Sequence, residues 1–261
     1  MFLETLGGSI YCEVHGPENQ PALVLTHGAG LNCRMFDSQI AALKDKYRIV
    51  VWDMPGHGRS HKLDGPLPFT EQSTNIIAIL DALNIKQAVL GGQSLGSWVS
   101  QHAAVLYPER IQAIISISGV PLEKGTSKLE DFMFKVMNNT FLVLPQKSVF
   151  RWVARQKATT PAAQTFAEQS MNEIGVKQFY YIMQGMLAAG STKISAPSQP
   201  LLLTHGEHEM PKYVAKANAR WHASIPGSKY VVLPGAGHNG NQDNPQAFNE
   251  AVLSFLAEIG L

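Results

Sequence analysis

The sequence predicts an α/β architecture: a mostly parallel, doubly wound sheet with an N-terminal antiparallel hairpin and one inserted helical segment. Three observations carry this. Short apolar runs closed by Gly, Pro, Ser or His recur along the chain, helix-length segments separate them, and the alternation is interrupted once, over residues 121–196.

Phe2–Leu6 and Ser9–Val14, joined by Gly7-Gly8, read as the hairpin. ALVLTH from Ala22, Tyr47–Asp53, Gln87–Gly92, Ile111–Ser118, Leu201–His205 and Lys229–Leu233 are apolar almost throughout, the pattern of parallel strands covered on both faces. The helix-length segments are Arg34–Leu43, Thr70–Leu83, Leu95–Tyr107, Val214–His222 and Pro245–Ile259. In the last, Phe248, Val252, Phe255, Leu256 and Ile259 recur at three- and four-residue steps and form one apolar face. Between Pro121 and Ala196 only helices are expected, at Leu129–Val136, Ser148–Arg155 and Gln178–Leu187. The chain therefore divides into a core of residues 1–120 and 197–261 and an inserted helical subdomain of residues 121–196.

At 261 residues and 45% apolar composition, the chain can bury a substantial core. Lys and Arg (21) balance Asp and Glu (20) to a formal charge of +1 with no basic stripe, so neither nucleic acid nor a membrane surface is an expected partner. A small-molecule partner is expected, and composition leaves the oligomeric state open. Cys12 and Cys33 lack the spacing of a disulfide framework or a thiolate zinc site. With no signal-peptide pattern at the N-terminus and no run of about 18 apolar residues, a cytoplasmic protein is expected.

G-x-S-x-G occurs as Gly92-Gln93-Ser94-Leu95-Gly96, where a predicted strand ends and a helix begins. Glycines on either side of a serine let a sharp strand-to-helix turn hold it strained and exposed. A serine hydroxyl is a weak nucleophile until a base takes its proton, and that base needs an orienting partner. His238, in PGAGHNG after the last strand, is the one histidine of nine that combines a late position, a post-strand loop and flanking glycines. Acyl transfer also needs donors for an oxyanion. HGAG, His27 to Gly30, follows a strand and offers the Ala29 N–H; the second donor is the N–H of Leu95.

HGAG, DMPGHGRS (Asp53 to Ser60), GQSLG, THGEHEMP and GAGHNGNQDNPQAFNEAVLSFL (Gly235 to Leu256) together resemble the α/β-hydrolase fold superfamily, in its capped esterase and lactonase-like form. The resemblance spans nearly the whole chain. It implies a Ser–acid–His triad in that chain order, an oxyanion hole of two backbone amides, and a helical cap over the substrate. The acid of such proteins follows the next-to-last core strand, three residues past its closing glycine, which here is Glu209. Glu207 is the near alternative and Glu123 a remote one. The family more often has aspartate at this position, so the longer glutamate requires a loop set slightly back.

The resemblance implies a serine hydrolase acting on a small, largely apolar ester, thioester or lactone, with no cofactor. Haloalkane dehalogenase and epoxide hydrolase relatives need a carboxylate where Ser94 stands, and Tyr180-Tyr181 is read as packing. Carbon–carbon bond hydrolases often carry Trp after the catalytic histidine, where this chain has Asn239. Perhydrolase or haloperoxidase chemistry on the same triad, and a non-enzymatic receptor-like role, stay open as alternatives. His205 and His208 lack an obvious third ligand for a metal, and His57 is read as structural. Phe132, Met133, Phe134, Met137, Met171, Phe179, Met183 and Met186 offer the inserted segment an apolar, adaptable lining, while Arg151 and Arg155 are read as solvated.

Overall fold

The computed structural model describes residues 1–122, 136, 138–190 and 194–261. The strands are Phe2–Thr5 (β1), Gly8–His15 (β2), Ala22–Thr26 (β3), Arg48–Asp53 (β4), Ala88–Gln93 (β5), Ile111–Ile117 (β6), Leu201–Gly206 (β7) and Lys229–Leu233 (β8). They form one sheet in the order β1-β2-β4-β3-β5-β6-β7-β8. β1 and β2, and β2 and β4, pair antiparallel; every later pairing is parallel.

From β3 the chain runs outward to β4 on one side, then returns to lay β5 on the other. The crevice beyond the carboxyl ends of β3 and β5 is thus a topological switch point, where open α/β sheets bind ligands.

β3, β4, β5 and β7 are buried along their whole length, which their unbroken apolar runs anticipate. The pleat sends Leu23, Leu25, Ile49 and Val51 to one face and Ala22, Val24, Val50 and Trp52 to the other. The first face is covered by Asp37–Leu43 (α1) and, at the chain's end, by a helix carrying Phe248, Val252, Phe255 and Leu256. The second is covered by Phe69–Ala82 (α2), Leu95–Leu106 (α3) and a later helix that contributes Trp221. Residues 34–43, expected as one helix, are split into a 3₁₀ turn over Cys33–Phe36 and α1. The Asn32 side chain caps that turn by accepting the Arg34 N–H.

Between β6 and β7 the described residues include two long helices: Gln146–Lys157 (α4) packs on Pro161–Gly190 (α5), and α5 bends at Gly175, whose φ is 80°. Both are longer than the sequence indicates. The predicted helix at Leu129–Val136 lies outside the described residues except for Val136, as do Glu123, Phe132, Met133, Phe134 and Met137. The remaining helices are Tyr213–Ser224 (α6), Gly240–Asp243 (α7) and Pro245–Glu258 (α8). α8 begins with Pro245, and the Asn244 side chain caps it by accepting the Ala247 N–H. Among the described residues no helix is long and apolar enough to cross a membrane.

Phe248 is 1% exposed and joins α8 to the first core. Phe248→Ala is expected to lower the unfolding free energy by about 3–5 kcal/mol, read as a shift of the urea midpoint at constant slope.

Candidate active site

The turn from β5 into α3 holds Ser94 at φ 51°, ψ −108°, outside the conformations a serine ordinarily adopts. Steric closeness enforces it. A Cβ on Gly92 would lie 2.1 Å from the Gly96 carbonyl, and one on Gly96 would lie 2.1 Å from the Thr26 carbonyl oxygen. Only this sequence of small residues lets α3 start so near the end of β3. The Ser94 N–H is tied to Ile117 O at 2.8 Å, and the side chain, although at the N-cap position, makes no capping bond.

β3 and β5 pair with Thr26 opposite Gly92, so Ala29 and Leu95 each lie three residues beyond paired positions, on adjacent strand ends. Among the described residues neither amide has a hydrogen-bond acceptor. Ala29 and Ser94 keep accessible surface although their neighbours on both sides are buried, as the floor of a crevice would. Met171 and Phe179 of α5 press against Gly30: an added Cβ there would stand 2.9 Å from each. Met183 is buried in the same core, and Met186 packs against it.

The His27 ring holds the turn after β3. Its Nε2 accepts the Met54 N–H at 3.0 Å, so Nδ1 carries the proton and donates to Gly28 O at 2.8 Å. Burial lowers its pKa to about 4, in keeping with a neutral structural ring. His57, its ring tilted against that of His27 with centroids 4.6 Å apart, is lowered to about 3 by burial and by His27. Asp53 anchors the following loop by accepting the N–H groups of Cys33 (2.7 Å) and Arg59 (2.8 Å).

The loops after β7 and β8 continue the pairing of their strands. Glu207 N–H donates to Leu233 O at 2.9 Å and His208 N–H to Ala236 O at 2.8 Å. This brings Glu209 to His238, with Oε1 2.5 Å from Nδ1 and both side chains buried. Glu207 is exposed and turns the other way, accepting the Gly235 N–H at 2.9 Å. Burial opposes the Glu209 charge. The His238 charge and hydrogen bond, with help from Ser118 and Lys157, outweigh burial and hold its pKa below the usual range. Ser118 Oγ does this from outside ordinary hydrogen-bond geometry.

An ionised carboxylate only accepts, so Nδ1 of His238 carries the proton and Nε2 presents a lone pair. Among the described residues that Nε2 is buried without a hydrogen-bond partner. Burial, reinforced by Lys157, lowers the His238 pKa against the opposing pull of Glu209, so the ring is neutral at neutral pH.

In HGEHE, both His205 nitrogens are engaged, by Gly206 O at 2.8 Å and Tyr230 Oη at 2.6 Å, and His208 is exposed. Among the described residues no group of three or more His, Cys, Asp or Glu is placed to hold a metal ion. Arg151 and Arg155 are exposed, Arg151 pairing with Glu168 at 3.2 Å.

Residues 21–245 match the alpha/beta hydrolase fold family. The chain belongs to that family. It is 28% identical to 3-oxoadipate enol-lactonase 2 of Acinetobacter baylyi, over 92% of this chain and 90% of that protein. It is 27% identical to the pimeloyl-[acyl-carrier protein] methyl ester esterase of Pectobacterium atrosepticum, over 95% of this chain and 98% of that one. The crystal structure of a hydrolase from Pseudomonas aeruginosa superposes with a TM-score of 0.84 at 26% identity, covering 98% of this chain and 97% of that one.

Three polar side chains that sequence patterns do not single out complete the neighbourhood. Gln93 Nε2 donates to His238 O at 3.1 Å, while its Oε1 would lie 1.8 Å from a Cβ on Gly28, so it wedges between the β3 turn and the histidine loop. The Asp243 carboxylate accepts four hydrogen bonds: Gly237 N–H (2.9 Å), Thr159 N–H (3.0 Å), Thr160 N–H (2.9 Å) and Thr160 O–H (2.9 Å). With Asn239 N–H on Lys157 O at 2.8 Å and Thr159 O–H on Gly235 O at 2.8 Å, it latches the end of α4 to the histidine loop. The third is Lys157 itself. Asp243→Ala is expected to cost about 2–4 kcal/mol in urea denaturation, and the Gly237, Thr159 and Thr160 amides should lose hydrogen-exchange protection ahead of the sheet.

Proposed function

We propose that this enzyme is a serine hydrolase that cleaves a small, largely apolar carboxylic ester, thioester or lactone through an acyl-enzyme. Its triad is Ser94, His238 and Glu209, and its oxyanion donors are the Ala29 and Leu95 amides. The observation that carries the reading is the buried Glu209–His238 pair, whose tautomer leaves Nε2 as a base without a partner, on a loop that Gln93 ties to the strained serine turn. Residues 121–196 act as the cap, with Met171 and Phe179 meeting the substrate side of the β3 turn.

The substrate carbonyl carbon is attacked by Ser94 Oγ while its proton passes to His238 Nε2. Glu209 holds the ring and stabilises the imidazolium through Nδ1–H, and the two amides receive the oxyanion. Collapse returns the proton from Nε2 to the leaving oxygen or sulfur. Water, deprotonated by the same nitrogen, then releases the acyl group from Ser94.

Ser94→Ala should lower kcat on short p-nitrophenyl esters by roughly 10³-fold or more, and unchanged hydrolysis would refute the serine mechanism. Glu209→Gln is expected to cost roughly 10²–10⁴-fold and Glu207→Gln less than about threefold, so a larger loss at Glu207 would reverse the assignment of the acid.

Because the unprotonated ring is the active form and its pKa is depressed, kcat/KM should fall with decreasing pH only below the ordinary histidine value of about 6.5. Stopped-flow pH profiles read this; an acid limb centred above 6.5 would contradict the neutral His238.

A further inference from the structure

The main chain around His238 is held at three consecutive residues. The Gly237 N–H donates to Asp243 at 2.9 Å, and the Asn239 N–H donates to Lys157 O at 2.8 Å. The third bond falls on His238 itself: its carbonyl accepts from Gln93 Nε2 at 3.1 Å, and the same nitrogen lies 3.4 Å from Asn239 Oδ1. A main-chain carbonyl only accepts, so its presence fixes which way the Gln93 amide is turned.

Gln93 ends β5, pairs with Ile117 of β6, and immediately precedes Ser94. The residue is 1% exposed, and its Oε1 fills the space that a Cβ on Gly28 would need, 1.8 Å away. With the Ser94 N–H tied to Ile117 O at 2.8 Å, the root of this side chain is as fixed as its tip. Glu209 and His238, by contrast, stand on loops bonded to each other, so their pair can shift as a unit relative to the serine. Among the described residues, Gln93 joins that unit to the serine turn.

We propose that Gln93 is a positioning residue for proton transfer between Ser94 and His238, its amide setting the separation of Oγ from Nε2 by clamping the main chain of the histidine. Glutamine suits the role because it spans the gap with a neutral donor, adding no charge beside Glu209 and no rival base beside Nε2. A misplacement of about 1 Å between reacting groups costs roughly 10²-fold in rate. This deepens the serine-hydrolase reading and rests on it.

Gln93→Met keeps the length and burial of the side chain and removes the donor. On p-nitrophenyl butyrate its kcat is expected to fall about tenfold or more with KM within about threefold of wild type, because the clamp serves the transfer and not ground-state binding. A smaller fall, or one carried by KM, overturns the proposal.

Gln93→Glu supplies a readout that partial unfolding does not move. Protonated, its carboxyl donates to the His238 carbonyl as the amide does; ionised, it faces that oxygen and Asn239 Oδ1 with no proton to give, and the clamp is lost. Burial among acceptors raises the pKa of such a carboxyl. The kcat profile of Gln93→Glu from about pH 5 to 10 should therefore gain an alkaline limb that wild type lacks. His27, Glu209 and Lys157, the titratable neighbours of the Gly28 turn and of His238, are common to both proteins, so their titration cancels in the comparison. The shape of the profile is read, not its height, and a profile parallel to that of wild type overturns the clamp.

Wild-type protein that hydrolyses no ester would instead refute the serine-hydrolase reading. Hydrogen exchange then still decides Gln93: the Gly237 and Asn239 amides should exchange about tenfold faster in Gln93→Met while the sheet keeps its protection, and unchanged protection at both would overturn the assignment.

Discussion

The closeness with which the start of α3 packs onto the end of β3 is the constraint on which the site depends. The Thr26 carbonyl and the Gly96 backbone leave no room for a single carbon between them, nor do Gly92 and Gly96. Because β3 and β5 are hydrogen-bonded in fixed register, the turns that carry Ala29 and Leu95 leave from adjacent strand ends. Strain at Ser94, φ 51°, follows from the same geometry and is sustained by burial of the elements around it. The serine, the two amides and the switch-point crevice are thus one consequence of a single packing distance.

The second half of the site is built by different physics. β7 and β8 extend their backbone pairing into the loops beyond them, and this places two acidic residues of nearly identical sequence context in opposite situations. Glu207 sits where the pairing continues and faces the Gly235 amide in solvent. Glu209 lies past it, buried, where His238, helped by Ser118 and Lys157, compensates for burial and keeps the carboxylate charged. The pair fixes its own tautomer, since an ionised acceptor on one side of the ring dictates a lone pair on the other.

These two halves were unequally legible in the sequence. Strands buried on both faces declare themselves as apolar runs, and Ser94 and His238 stand out because glycines crowd around them. Glu209 needed the family resemblance to be preferred over Glu207, because what separates them is a backbone register with no periodicity of its own. Lys157, Asp243 and Gln93 left no signal: most of their partners lie more than eighty residues away along the chain. The arginines of α4 were conspicuous by charge, but Arg155 and Lys157 are about 200° apart around the helix, so one is exposed and the other half-buried. Where α4 ends and which side it presents to the histidine loop are tertiary facts.

The connection between α4 and the histidine loop runs largely through main-chain atoms: Lys157 O, the Thr159 and Thr160 amides, and the Asn239 and Gly237 amides opposite them. Away from Asp243 and the Thr159 and Thr160 hydroxyls, side-chain identity along this short stretch is weakly constrained, while chain length is strongly constrained. A one-residue insertion between Lys157 and Thr160 would shift every donor out of step with its acceptor. Drift in composition is absorbed; a change in spacing is not.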